Sequence, residues 1–253
     1  MANEYQKINT LFLRDENNII MPDNFTCPEF SYLQNCSWEC TEKIDGTNIH
    51  IDITYSSYMD ENQMVHTDRD IQICGRTAKA NIPEHLRKRL EEIIAAVDLN
   101  AIFFPVLEDS AANCTTKTVS IYGEGYGAKI QKGGNYIKDG VDFILFDVKS
   151  DNWWLSREDC EKIAEQLNVK IVPLIGYMDL QNAIEYVKKG FKSTIAENTD
   201  YDAEGLVLKT PYGLKFRNGQ RIITKIKTCD FRKYQAKYGD GPVDQKPNPH
   251  YNK

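Results

Sequence analysis

Glu42-Lys43-Ile44-Asp45-Gly46-Thr47-Asn48 sets a lysine between two acids and follows it with a turn-capable glycine. Ahead of it, Ser37-Trp38-Glu39-Cys40-Thr41 reads as a strand. Behind it, Ile49, Ile51 and Ile53 alternate with His50, Asp52 and Thr54, the period of a half-buried strand. The pattern predicts a hairpin over residues 37–55, with Lys43 at a strand end. A tight turn at Asp45-Gly46 would let the backbone approach a ligand. A lysine held this way becomes a nucleophile when nearby cations or desolvation expose its amine lone pair. A surface hairpin with a solvated charge pair explains the heptapeptide equally well taken alone, so the reading turns on the rest of the chain.

Working outward, Pro22 and Pro28 break an approach segment over residues 1–36, with a short helix near Glu29–Gln34. Residues 55–70 are polar and read as a loop, and Ile71–Arg76 as a short strand. Leu86, Leu90, Ile93, Ile94 and Val97 recur at helical spacing behind Pro83, which predicts a helix over Pro83–Val97. Residues 98–117 read as irregular. Thr118–Glu124 and Val141–Val148 read as strands, and Ser156 with Asp159 three residues on opens a second helix. Val169–Ile175 is a further strand, and Asp179 caps a helix through Val187 that Gly190 ends. Gly205–Thr210, Leu214–Arg217 and Ile222–Lys227 read as consecutive strands, turned at Pro211-Tyr212-Gly213. Paired strands with interspersed helices predict an α+β fold of mainly antiparallel sheets. The expected organisation is one domain over residues 1–238 and a flexible tail over 239–253, without a separate C-terminal domain.

The 253 residues are 41% hydrophobic and 27% charged, the balance of a globular protein. No run of about 18 apolar residues offers a membrane span, and Met1 to Lys7 has no signal-like apolar core. Seven scattered cysteines, of which only Cys36 and Cys40 lie close together, read as reduced thiols in a cytoplasmic protein; a zinc site is weakly signalled. The net charge of −6 does not advertise nucleic-acid binding. Its distribution does: from Lys215 to Lys237 eight cations stand against Asp230 alone. A local field of one sign steers a polyanion even when the whole chain is acidic.

Beside Lys43 stand four further polar clusters at strand ends. Arg76 ends one strand, and Glu124 sits among glycines in Gly123-Glu124-Gly125. Glu204 precedes Gly205-Leu206-Val207-Leu208-Lys209, and Lys225 and Lys227 alternate with Ile226 and so share a face. Arg76, Lys209, Lys225 and Lys227 suit a triphosphate, Glu204 a Mg²⁺ ion and Glu124 ribose hydroxyls.

The ordered set of Glu42–Asn48, Gly75-Arg76-Thr77, Tyr122–Gly127, Phe146-Asp147-Val148, Glu204–Lys209 and Lys225-Ile226-Lys227 resembles the covalent nucleotidyltransferases. That superfamily holds ATP-dependent DNA ligases, RNA ligases and mRNA capping enzymes. The resemblance spans roughly residues 37 to 230. Asn48, where DNA ligases and capping enzymes carry arginine, is similar to the RNA ligase 2 group. The implied fold is the nucleotidyltransferase domain, similar to that of DNA ligases and capping enzymes and ATP-grasp-like, with antiparallel sheets flanked by helices. The implied activity joins RNA 5′-phosphate and 3′-hydroxyl ends through lysyl-AMP and RNA-adenylate, with ATP and Mg²⁺ or Mn²⁺.

By the same resemblance, Lys43 is the nucleophile and Lys225 and Lys227 contact the α-phosphate, with Lys209 nearby. Glu42 and its backbone neighbourhood recognise adenine, Phe146 lines the base pocket and Glu124 holds the ribose. Asn48 and Arg76 contact the nucleotide or the 5′-phosphate end. Glu204 and Asp45 are placed at the metal, although some phage members carry histidine where this chain has Asp45. RNA would lie across the basic 215–237 segment and the face around Asn48. The implied setting is cytoplasmic, a virus-encoded enzyme in its host included, with no membrane partner. A DNA ligase or capping-type enzyme, and a non-catalytic nucleic-acid-binding relative, are the alternatives.

Overall fold

The structure is a computed structural model, and it describes residues 4–77, 80–104, 115–131 and 136–239. Three short strands open the chain: β1 (Asn9–Thr10), β2 (Phe12–Arg14) and β3 (Ile20–Phe25). Helix α1 (Pro28–Tyr32) leads to β4 (Trp38–Glu42), β5 (Thr47–Met59) and β6 (Val65–Gly75). Then come α2 (Glu84–Ala95), α3 (Leu99–Phe103), β7 (Thr115–Gly127), β8 (Val141–Ser150), β9 (Trp153–Trp154) and α4 (Arg157–Gln166). The chain closes with β10 (Lys170–Ile171), β11 (Leu174–Met178), α5 (Leu180–Lys189), β12 (Gly205–Lys209), β13 (Ile223–Lys227) and α6 (Thr228–Tyr238). The fold is α+β with largely antiparallel sheets flanked by helices, as the sequence pattern predicts; β1 on β13 and β10 on β8 are parallel exceptions.

The chain divides into two compact units, one of Met1–Tyr5 with Asp45–Val172 and one of Gln6–Ile44 with Pro173–Lys253. The first holds a sheet ordered β10-β8-β7-β5-β6, with β9 beside β8. Ile49, Ile51, Ile53 and Tyr55 alternate onto one face of β5 and pack with Leu86, Leu90 and Ile93 of α2 and Cys160, Ile163 and Ala164 of α4. Ser156 caps α4 by accepting from Asp159 N, as expected.

The second unit holds a sheet ordered β1-β13-β12-β4-β11. Trp38, Cys40, Leu206, Leu208 and Ile226 face Leu180, Ala183 and Val187 of α5 and Phe231 of α6. Asp179 caps α5, and Gly190 ends it at φ 76°.

The expected hairpin over residues 37–55 is not formed. β4 pairs with β12 and β11, whereas β5 pairs with β6 and β7. Residues 43–46 thus carry the chain out of one sheet and into another, and β4 and β5 each find partners far away in sequence.

The expected loop over residues 55–70 is mostly strand: β5 and β6 stay in register from Ile49↔Gly75 to Met59↔Val65. Its polar residues are tolerated because β6 is an edge strand whose outer half faces water. Val169–Ile175 is split at Pro173, with β10 in one unit and β11 in the other. Leu214–Arg217 contributes only an isolated bridge, Lys215↔Arg221. Residues 98–117, read as irregular, contain α3 and the first residues of β7. Strands β1 to β3 in the approach segment and α6 after Lys227 have no counterpart in the sequence reading. Residues 240–253 of the expected tail lie outside the described residues.

Candidate active site

In the second unit Lys43 follows the last residue of β4, and its backbone N–H donates to Gly205 O at 2.9 Å. Its Nζ donates to Glu204 Oε2 at 2.5 Å and to Ile44 O at 3.2 Å. Lys227 Nζ holds the other carboxylate oxygen, Oε1, at 2.6 Å. One carboxylate therefore bridges two ammonium groups drawn from the ends of β4 and β13. The Glu204 carbonyl accepts from Thr228 N at 2.9 Å. Glu204 is thereby held by backbone and by side chain.

Burial, the largest influence on Lys227, works to lower its pKa. The hydrogen bond and charge of Glu204 outweigh that influence and leave the pKa raised.

Gly205 makes the approach of these strands feasible. Its φ is 150°, and a Cβ there would run into Ile226 O and Lys227 Cα. The register sets Val207 opposite Lys225 and Gly205 opposite Lys227. Lys225, Lys227, Val207 and Thr41 therefore occupy the face of the sheet opposite α5 and α6. Lys209 lies further along that face, opposite Glu39 and Ile223.

Glu42 departs from its expected role. It is 1% exposed, its Oε1 accepts from Ser193 Oγ, and its Oε2 accepts from Thr194 N and Oγ1 at 3.0 and 2.8 Å. Its carboxylate ties the end of β4 to residues 193–194. Ser193 and Thr194 escaped the sequence reading because nothing in their neighbourhood announces a buried carboxylate.

In the first unit Asn48 stands opposite Glu124, His50 opposite Tyr122, and Asp52 opposite Ser120. These residues occupy the face of β5 that the apolar core does not use. Among the described residues Asn48 Oδ1 and both ring nitrogens of His50 are buried with no hydrogen-bond partner. A buried orphan acceptor costs free energy that a bound donor would recover.

Gly46 enters β5 against β7, and a Cβ on it would strike Gly125 O and the Glu124 side chain. The glycine thus admits a neighbouring strand, where the sequence reading has it admit a ligand. The Asp45 backbone N–H donates to Tyr136 Oη at 3.0 Å. Arg76 lies on the exposed bend just after β6.

Phe146 is the extra residue of a β-bulge. Tyr122 pairs with Asp147 and Gly123 with Leu145, so Phe146 has no opposite number and its ring is re-aimed. It meets Tyr5 edge-on at 4.9 Å, and Tyr5 also contacts Tyr122 and Trp154. Tyr5 Oη donates to the buried Asp147 at 2.6 Å. Tyr5 lies in a polar N-terminal segment that carries no pattern, and so the sequence reading missed it.

The described residues contain no group of three or more His, Cys, Asp or Glu able to hold a metal ion. With Glu204 engaged by two lysines, the donors suit an ion of the Mg²⁺ type that keeps water and substrate phosphates as most of its ligands.

The geometry can be set beside known proteins. Solved structures of Naegleria gruberi RNA ligase match the chain. One variant with ATP and Mn is 17% identical, with 93% of this chain and 63% of that one covered and a TM-score of 0.53. A second, apo, variant is 18% identical, with coverage of 93% and 60% and a TM-score of 0.52. These matches show a shared fold, and the chain spans less than two thirds of the length of those ligases. The RNA ligase family model matches residues 37–227, from the strand before Lys43 through Lys227. The chain belongs to the RNA ligase family.

Proposed function

We propose that the protein is an ATP-dependent RNA ligase that joins a 5′-phosphate to a 3′-hydroxyl through adenylate intermediates. The observation that carries this reading is the Lys43–Glu204–Lys227 triad at the converging ends of β4, β12 and β13. In the first step Lys43 Nζ attacks the α-phosphorus of ATP. The nitrogen, an ammonium at rest, loses one proton to free its lone pair and a second as the N–P bond forms, and the bond to the β-phosphate oxygen breaks to release pyrophosphate. Glu204, already hydrogen-bonded to Nζ, is the base within reach of those protons. In the second step a 5′-phosphate oxygen of RNA takes the adenylate and Lys43 recovers its protons. In the third a 3′-hydroxyl attacks the 5′-phosphorus, loses its proton and expels AMP. Covalent capture divides one difficult exchange into easier ones.

Lys227 and Lys225 neutralise charge developing on the α-phosphate. Phe146, Glu124 and Asn48 take the base, the ribose and the adjoining phosphate, and Arg76 reaches the 5′-phosphate end. Asn48 Oδ1, buried without a protein partner, supports a polar ligand in that role. Glu204 and Asp45 are the carboxylates that would meet a Mg²⁺ or Mn²⁺ ion, which would supply charge neutralisation at the phosphates. The proposed setting is cytoplasmic, and among the described residues no helix is long and apolar enough to cross a membrane. The RNA ligase 2 group is the subgroup that Asn48 favours.

The test offers purified, adenylated protein a panel of 5′-phosphorylated RNAs without added ATP, with and without a bridging strand. Sealed RNA with stoichiometric release of AMP is expected. No sealing of any RNA in the panel, while matched 5′-phosphorylated DNA strands offered alongside are sealed, would overturn the reading.

A further inference from the structure

Tyr212 is the most exposed large hydrophobic residue described, at 100%. Its backbone is left-handed, φ 61° and ψ 14°, a region that bulky residues rarely enter. Pro211 fixes the approach, and the following Gly213 is also left-handed at φ 62°. The turn is held from below. Ile222 N donates to Leu214 O at 2.7 Å, Phe216 N donates to Gln220 O at 2.8 Å, and Phe216 packs on the core at Phe30. An aromatic ring is thus carried into solvent on a pinned turn, with a half-exposed Leu214 beside it.

The charges carried by the turn itself are of one sign. Lys215 and Arg217 are exposed, and residues 211–220 contain no acid. An exposed ring together with unopposed cations suits single-stranded nucleic acid, which offers base faces to stack and phosphates to pair. A protein partner of similar size would be met by a wider apolar surface than one ring and one leucine. The turn lies at the end of β12 away from Glu204. Six residues of extended chain separate the two, about 20 Å, or about six stacked base steps.

We propose that Tyr212 is a stacking platform for a base of the RNA strand, with Lys215 and Arg217 on its phosphates, several nucleotides from the end being joined. This rests on the RNA-joining reading above. Arg221, within the basic segment, takes no part, because it is 7% exposed and its backbone is tied to Gln6.

The experiment measures binding of the adenylated protein to fluorescent RNAs of two and twelve nucleotides, across a salt series. Tyr212→Ala should weaken the twelve-nucleotide RNA by about five- to a hundredfold. It should leave the dinucleotide, the salt slope and lysyl-AMP formation unchanged. Tyr212→Trp should restore binding. Lys215→Ala with Arg217→Ala should lower the salt slope by about 1.4.

Tyr212→Gly removes the ring and relieves the backbone. It should bind like Tyr212→Ala with undiminished thermal stability, which separates lost stacking from lost folding. Unchanged affinity of Tyr212→Ala for the long RNA, in protein that still adenylates, would overturn the inference and leave the ligase reading intact. Failure of the wild type to adenylate would remove the ligase reading itself.

Discussion

The two sheets solve the same task in different ways. In the Asp45–Val172 unit, β5 pairs with β6 and β7 over eleven residues each, and alternation separates an apolar face from a polar one. Its site residues are neutral or singly charged and include buried acceptors without protein partners. In the Gln6–Ile44 and Pro173–Lys253 unit, five strands of two to five residues come from stretches more than 200 residues apart. Three of its site residues, Lys43, Glu204 and Lys227, are joined in ion pairs. Long strands leave a polar face ready to receive a ligand. Short converging strands bring opposite charges together, so that Lys43 and Lys227 are held by one shared carboxylate, that of Glu204.

The largest effects should come from the charged sheet. Lys227→Ala, or Glu204→Gln, removes a contact to developing phosphate charge or the base beside Lys43. Each should slow adenylate transfer by about two to three decades, equivalent to about 2.7–4 kcal/mol. Single-turnover transfer from labelled ATP measures it. A loss below threefold would mean that the triad is only structural.

Next come the glycines that let strands meet. Gly205→Ala adds a Cβ against Ile226 O and Lys227 Cα at positive φ, and Gly46→Ala adds one against Gly125 O. Each should cost about 1–3 kcal/mol, with Gly205 the greater because backbone strain adds to the clash. Hydrogen exchange should place the loosening at β12 and β13 for Gly205→Ala, and at β5 and β7 for Gly46→Ala. Uniform loosening in both variants would erase the contrast between the units.

Asn48→Ala should separate stability from function. It deletes a buried acceptor that has no protein partner, so the melting temperature should hold or rise while adenylate transfer falls by at least tenfold. A fall in stability of more than about 1 kcal/mol would mean that Asn48 holds the fold.

The smallest effect is in pH. The pKa of Lys227 is raised above its ordinary value of about 10.4, so its pair with Glu204 stabilises fully below that value and fades as pH rises through the folded pKa. The stability difference between wild type and Lys227→Met should stay constant from pH 7 to about 9 and shrink above about 10.5. Shrinkage already at pH 8 would contradict the pairing.

What the sequence disclosed follows from the same contrast. Alternation at Ile49, Ile51 and Ile53 and helical spacing at Leu86, Leu90 and Ile93 are local, and both elements form where expected. The spacing of Lys225 and Lys227 about Ile226 correctly places the two lysines opposite the core. The hairpin expected at Lys43 does not form because adjacency in sequence does not dictate pairing: β4 takes its partners from residues 174–209. The Phe146 bulge, the Tyr5–Asp147 bond and the burial of Glu42 against Ser193 and Thr194 are long-range facts with no local signature. Polar residues 65–70 were misread because an edge strand needs no apolar face.

The central claim is that Lys43 Nζ takes AMP onto itself. The most direct measurement incubates the protein with α-labelled ATP and Mg²⁺ and maps the modified peptide by mass spectrometry. The account predicts one acid-labile adenylate per chain, on Lys43 and absent from Lys43→Ala. No adduct, or an adduct that survives Lys43→Ala, would contradict it.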